Sequence, residues 1–213
     1  MGDEATEGKT AGLRRAAVGG TAARAFCCGL LGLLLLAGIT ALVLYLVYRP
    51  AKPRLTVVGA AVYELNATAP AGAAAVVSTR MQFTVAIRNP NQRSSVLYDR
   101  LAAYVAFREQ PITPAAPLPP MYQEEDSTVA VSPLLGGALV AVAPEVAGGL
   151  QTEQAYGALG LRLVLMGRIK YKVGPLYSVW ASMFARCDIL VSLRSGAYGQ
   201  VPLLGVADCS VSS

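Results

Sequence analysis

Residues 81–91 read Met81-Gln82-Phe83-Thr84-Val85-Ala86-Ile87-Arg88-Asn89-Pro90-Asn91. Met81, Phe83, Val85 and Ile87 alternate with Gln82, Thr84, Ala86 and Arg88. A period of two marks a β-strand with one face in a core and the other in water. Asn-Pro-Asn then closes the strand, because proline removes a ladder donor and asparagine side chains bond local backbone in turns. The same period recurs downstream. Leu161, Leu163, Leu165, Ile169 and Tyr171 alternate with Arg162, Arg168, Lys170 and Lys172; Ala185, Cys187, Ile189, Val191 and Leu193 alternate with Arg186, Asp188, Ser192 and Arg194. Further strand candidates are residues 55–65, 96–108, 127–132 and 139–142, with a short last one at 201–206.

Turn residues separate these runs. Pro111, Pro114, Pro117, Pro119 and Pro120 stiffen one loop, Gly174-Pro175 splits two strands, and Ser195-Gly196 begins the last connection. Residues 144–156, with Gln, Glu and Ala, predict a short helix. Seven or so short strands in one domain-sized stretch predict an all-β class: a single antiparallel β-sandwich of immunoglobulin or fibronectin-III type.

Upstream of the sandwich lies a charge-free run, residues 25–48. A helix crosses a bilayer core with about 20 apolar residues. A signal-peptide core has only about 7–15 and ends in a small-x-small site. This run ends instead in Tyr45, Tyr48, Arg49 and Pro50, so a retained transmembrane helix is expected, with the two tyrosines as interfacial anchors. The expected organisation is a disordered cytoplasmic tail (1–24), a transmembrane helix (25–48), a linker (49–54) and one β-domain (55–213). Charge barely decides orientation: Lys9, Arg14, Arg15 and Arg24 precede the run, and Arg49, Lys52 and Arg54 follow it.

Composition limits the chemistry. The 213-residue chain has a net charge of +5 and no dense basic block, so a nucleic-acid partner is not expected. It has no histidine, which removes Ser-His-Asp and Cys-His catalysis and histidine-based metal sites. Carboxylates remain, with Glu64, Asp99 and Glu153 the formal candidates for an extracytoplasmic hydrolase. They are scattered, and the Glu124-Glu125-Asp126 run reads as a solvated loop. No catalytic residue, metal or cofactor is expected.

Five other features carry candidate sites. Cys27 and Cys28, at the head of the apolar run, are palmitoylation candidates, against a plain reading as small helical residues. The start, Met1-Gly2, formally fits a myristoylation pattern, weakened by its acidic neighbours. Asn66-Ala67-Thr68 is an N-glycosylation sequon. Cys187 and Cys209 are a disulfide candidate if their side of the membrane is oxidising, and two buried thiols otherwise. Arg168, Lys170 and Lys172 share one strand face, either a contact surface for anionic lipid or polysaccharide or an ordinary solvated face.

In order and spacing, several of these segments resemble the plant NHL proteins, harpin-induced and disease-resistance-related membrane proteins that carry a late embryogenesis abundant type 2 domain. The segments are Tyr48-Arg49-Pro50 after the helix, Arg88-Asn89-Pro90-Asn91, Tyr98-Asp99, Pro120-Met121-Tyr122-Gln123, the run from Gly167 to Gly174, and the pair Cys187 and Cys209. The resemblance implies type II topology, with the N-terminus cytoplasmic, and a seven-stranded sandwich. It also implies roles in pathogen defence and stress tolerance at the plasma membrane or related endomembranes, and it supplies no catalytic residues. The expected role is therefore a non-catalytic interaction or scaffold component with protein partners. The alternative is a lipid-binding module that holds an acyl chain in its apolar seam. The alanine-rich stretch 67–77 departs from the family pattern and reads as an inserted loop.

Overall fold

The period-two runs form strands whose apolar faces meet across one core. A computed structural model describes residues 24, 26–43, 50–69, 74–193 and 199–212. The chain divides into two compact units, Met1–Arg49 and Pro50–Ser213. In the first, helix α1 (Phe26–Val43) is exposed along its whole length and is long and apolar enough to cross a membrane. The tail 1–23, Tyr45 and Tyr48, and the Ser195-Gly196 turn lie outside the described residues.

The second unit runs β1 (Arg54–Thr68), β2 (Ala75–Arg88), β3 (Ser95–Phe107), β4 (Gln110–Pro111), β5 (Ala116–Pro117), β6 (Met121–Gln123), β7 (Thr128–Val131), β8 (Leu134–Val142), α2 (Pro144–Tyr156), β9 (Ala158–Val173), β10 (Leu176–Tyr177), β11 (Ala181–Ser192), β12 (Gly199–Val201) and β13 (Ala207–Ser212). The hydrogen-bonded order is β4-β3-β9-β11-β13-β1-β2-β7. All pairings are antiparallel. Strands β7 and β8 lie along the same edge of β2, parted at Ser132-Pro133, so the long strands form seven lines as expected. One sheet is β1-β2 with β7 and β8; the other is β3-β9-β11. In chain order these lines are the first, second and fourth against the third, fifth and sixth, and the seventh, β13, joins them.

Strand β13 belongs to both sheets. Ala207 and Asp208 pair with Val57 and Thr56 of β1, whereas Cys209 to Ser212 pair with Cys187 to Phe184 of β11. The sandwich is therefore closed like a barrel on that side and open on the other. Between the sheets, Val77, Phe83, Val85, Ile87, Val105, Leu163 and Ile189 pack in one cluster. This chain's own side chains thus occupy the apolar seam.

Three boundaries differ from the sequence reading. The stretch 67–77 is strand at both its ends: β1 continues to Thr68 and β2 begins at Ala75, paired through Thr68↔Val76, while residues 70–73 lie outside the described residues. Alanine is a poor strand former in isolation, but Ala67, Ala75 and Val77 are buried on the core face, so packing overrides propensity. The last strand, placed at 201–206, is instead the connection at 202–206 between two strands, β12 and β13. The linker 49–54 is mostly fixed, since Pro53 is buried and Ala51 is hydrogen-bonded into the domain. The helix reading over 144–156 agrees with α2. Pro144 opens its first turn, where no N–H is missed, and the left-handed Gly157 (φ 77°) closes it.

Cys187 and Cys209 form a disulfide across directly opposed residues, with a Cα–Cα separation of 4.2 Å. That is close to the spacing of a non-hydrogen-bonded antiparallel pair. The bridge sits one residue past the point where β13 leaves β1, so it holds the strand that closes the sandwich. Replacing both cysteines by alanine is expected to lower unfolding free energy by roughly 3 kcal/mol, the chain-entropy value for a loop of this size. Denaturant titration of the solubilised full chain under non-reducing conditions checks this; parental stability in the double variant contradicts it.

Candidate functional site

The motif residues converge on one end of the sandwich, where the chain enters it. Asn89 ends β2 and is wholly buried, 0% exposed. Its Nδ2 donates to the carbonyls of Ser94 (2.7 Å) and Glu124 (2.9 Å), and its Oδ1 accepts from the backbone N (3.1 Å) and Nδ2 (2.9 Å) of Asn91. All four hydrogen-bonding positions of the carboxamide are used. Asn91 in turn clasps Ala51: the Ala51 N–H donates to its Oδ1 at 2.7 Å, and its Nδ2 donates to the Ala51 carbonyl at 2.8 Å.

Gln123 extends this network. Its Nε2 donates to the carbonyls of Ile87 (2.8 Å) and Ser127 (3.0 Å), and its Oε1 accepts from the Tyr98 hydroxyl at 2.8 Å. Burial pushes the Tyr98 phenol well above its ordinary pKa. Tyr122 donates to Ser95 Oγ, which donates to Glu125. That bond from Ser95 is the chief reason the Glu125 carboxyl is held below the usual range. The motif asparagines and Tyr98 thus act structurally, as their turn and core positions suggested.

Beside this network lies the basic stripe of β9. A β-bulge in β3, with Arg100 at φ 51°, leaves Asp99 opposite Arg168 and Ala102 opposite Met166. Gly167 faces the bulge; a Cβ there would stand 2.7 Å from a Leu101 methyl and 3.0 Å from its Cα, so glycine is needed for space. Arg168 Nη2 donates to Asp99 Oδ2 at 2.5 Å, and its guanidinium also lies 5.2 Å from the Trp180 ring. The hydrogen bond from Arg168 is the main cause that lowers the Asp99 pKa, aided by the charges of Arg168 and Arg100.

The two lysines stack rather than pair. Lys170 Nζ lies 4.8 Å from the Tyr177 ring and 5.5 Å from Trp180; Lys172 Nζ lies 5.8 Å from Tyr177 and 6.0 Å from Tyr122. These are cation–π distances. Neither lysine has a carboxylate partner among the described residues. Tyr122 comes from β6, and Tyr177 and Trp180 come from β10 and the segment after it, where Gly174 takes φ 55° and Ser178 exchanges bonds with the Tyr171 backbone. The same segment exposes Leu176 (72%), Val179 (85%) and Trp180 (41%).

The sequence reading singled out Arg168, Lys170 and Lys172 but missed Tyr122, Tyr177 and Trp180. The chain's single tryptophan, in an apolar run directly after Gly174-Pro175, was the available signal. The other candidates lie elsewhere. Asn66 is exposed at the far end of β1. Cys27 and Cys28 are exposed free thiols in the first turn of α1. The carboxylate candidates are held apart: Glu64 accepts from Ser78, Asp99 from Arg168, and Glu153 from Arg108 and the Gly160 N–H. Among the described residues, no group of three or more Cys, Asp or Glu could hold a metal ion.

One apolar helix followed by an all-β sandwich, with an asparagine-centred network where the chain enters it, defines the class of protein. The chain matches several curated Arabidopsis thaliana proteins. NDR1/HIN1-like protein 12 is 34% identical over 179 residues, 84% of this chain and 83% of its own. NDR1/HIN1-like protein 1 is 29% identical over 76% of this chain and 77% of its own, and NDR1/HIN1-like protein 26 is 29% identical over 63% and 62%. The chain belongs to the NDR1/HIN1-like family. No protein-family model matches it. A solved structure of a protein from Archaeoglobus fulgidus, 9% identical over 62% of this chain and 99% of its own, is similar at a TM-score of 0.30.

Two expectations follow. Asn89→Ala would strand the buried Ser94 carbonyl and the Asn91 N–H, whereas Glu124 keeps Ser127 and Asn91 Nδ2 keeps Ala51, so a loss of about 1–3 kcal/mol is expected in denaturant titration. The Asp99 pair gives a pH dependence. A carboxyl with a depressed folded pKa adds stability above its ordinary value of about 4, and this is lost as pH falls through the folded value. Asp99→Asn should therefore be less stable than the parent at neutral pH, with the gap closing on acidification. A pH-independent gap would contradict it.

Proposed function

We propose that the chain is a non-catalytic, single-pass membrane protein that presents its sandwich outside the cytosol, as an interaction or scaffold component in plant defence or abiotic stress. The observation that carries this reading is the Cys187–Cys209 bridge within the domain. Disulfides persist in oxidising compartments and are rare in the cytosol. With α1 as the membrane span, a domain in such a compartment leaves residues 1–24 in the cytosol. The helix is then an uncleaved signal anchor, and the plasma membrane is the proposed site. Membership of the NDR1/HIN1-like family supports the defence and stress role.

The non-catalytic part rests on the absence of histidine and on carboxylates held by separate partners. Function then lies in what the exposed surfaces contact, and protein partners are proposed on that basis. The sequon supports the same orientation. Asn66 is exposed, at the end of β1 opposite to the one where the chain enters the domain.

Protease treatment of intact plant cells expressing a chain tagged at both ends tests the topology. The C-terminal tag should be digested and the N-terminal tag protected; the reverse overturns the proposal. The parent should also lose apparent mass on treatment with an N-glycosidase, whereas Asn66→Gln should not respond.

A further inference from the structure

From the β9–β10 end of the sandwich, we infer that Trp180, Tyr177 and Tyr122, with Lys170 and Lys172, form a platform that docks onto phosphate-bearing headgroups of the extracytoplasmic leaflet of the bilayer spanned by the chain's own helix. The inference rests on the reading of α1 as a membrane span and goes beyond it.

Tether length is the first argument. The apolar run ends at Tyr48, and Ala51 is already clasped by Asn91. Only Arg49 and Pro50 lie between them. Three Cα steps of extended chain reach about 10 Å at most. With the apolar run as the span, a headgroup surface is within reach of the end of the domain that carries Ala51.

The platform is at that end. Tyr171 Oη donates to the Ala51 carbonyl at 3.4 Å, and Tyr171 lies between Lys170 and Lys172 on β9. Its backbone N–H and carbonyl are both bonded to Ser178, in the segment that carries Tyr177 and Trp180. The tether attachment and the aromatic segment thus share one residue.

Its chemistry suits an anionic lipid interface. Tryptophan and tyrosine favour the headgroup level, where an apolar ring and a polar edge are both satisfied. Leu176 and Val179 add apolar side chains that no part of the domain covers. Lys52, Arg93, Lys170 and Lys172 form no salt bridge among the described residues, although the charge of Lys172 helps hold the Glu125 carboxyl low. Opposing charges at this end are partly engaged: Asp126 pairs with Arg88, Asp99 with Arg168, and Glu125 accepts from Ser95. Glu124 remains exposed, and Asp208 is bonded only to the neutral Thr56. Cations held over aromatic faces beside exposed apolar residues fit phosphate-bearing headgroups above acyl chains.

Because Trp180 is the only tryptophan, its fluorescence reports the platform alone. The full chain is reconstituted into phosphatidylcholine vesicles with or without phosphatidylglycerol, using lipids brominated near the headgroup as quenchers. Flotation after carbonate washing reports insertion of the helix separately. Strong quenching that depends on phosphatidylglycerol is expected. Lys170→Gln/Lys172→Gln should lower the docked-to-undocked ratio by roughly 30-fold, about fivefold for each lysine at an anionic surface. Inserted chain whose Trp180 is not quenched overturns the docking while leaving the membrane span intact. Quenching indifferent to phosphatidylglycerol or to the lysine variant overturns the electrostatic basis. A Trp180 response to soluble polygalacturonate without lipid quenching assigns the face to polysaccharide instead. Failure of insertion removes the span itself and the inference with it.

Discussion

The carboxamide of Asn89 is the interaction on which this end of the molecule depends. One buried side chain joins β2 to the start of β3 through Ser94, to the end of β6 through Glu124, and to Asn91. These segments come from both sheets and from a loop between them. A buried amide with an unmet donor or acceptor costs more than a satisfied one contributes, so such a network is stable only when complete. Four bonds on four positions meet that condition. Asn91 then passes the constraint to Ala51, and Gln123 passes it to Tyr98 and Ser127. The Asn-Pro-Asn turn is thus a corner where sheet, loop and incoming chain are fixed together.

A second constraint acts on the opposite side of the topology. The first strand of the domain pairs with the last, β1 with β13, so closing the sandwich brings together residues about 150 positions apart, such as Thr56 and Asp208. Such pairing gains nothing until most of the chain is ordered. Only two residues of β13 pair with β1, a short purchase for a closing strand. The bond from Cys209 to Cys187 compensates by fixing β13 to β11, which is already paired along its length with β9. With β13 held in register, its first two residues lie against β1 without further search.

The strands were legible because each inner strand is buried on one face, and the period-two pattern records that burial residue by residue. Helix α2 was legible from Pro144 and Gly157, whose backbone preferences suit its two ends. The β1–β2 hairpin was not, because Ala67 and Ala75 read as weak strand formers and only their burial makes them strand residues. The bulge at Arg100 and Leu101 was equally hidden, since it depends on Gly167 across the ladder. The candidate site shows the same division. Its cations follow from alternation along β9. Its aromatic rings come from elsewhere, Tyr122 from β6, Tyr177 from β10 and Trp180 from the segment beyond it, and Tyr177 meets the cations because the turn at Gly174 sets β10 against Lys172 and Val173. Sequence patterns report a residue's relation to its own element; contacts between elements appear only once register is known.

These constraints give the sandwich two unlike ends. At one, the incoming chain is clasped within two residues of the apolar run, and the exposed groups are lysines, rings and aliphatic side chains. At the other, roughly 40 Å away along β1 at the usual rise per residue, stand the sequon and helix α2. A flexible linker would let either end meet a partner. The Asn91–Ala51 clasp, itself held by a fully satisfied buried amide, leaves only Arg49 and Pro50 between the ordered domain and the apolar run. The near end is thus the one whose exposed lysines and rings stand beside the entering chain, and the far end carries the sequon away from it.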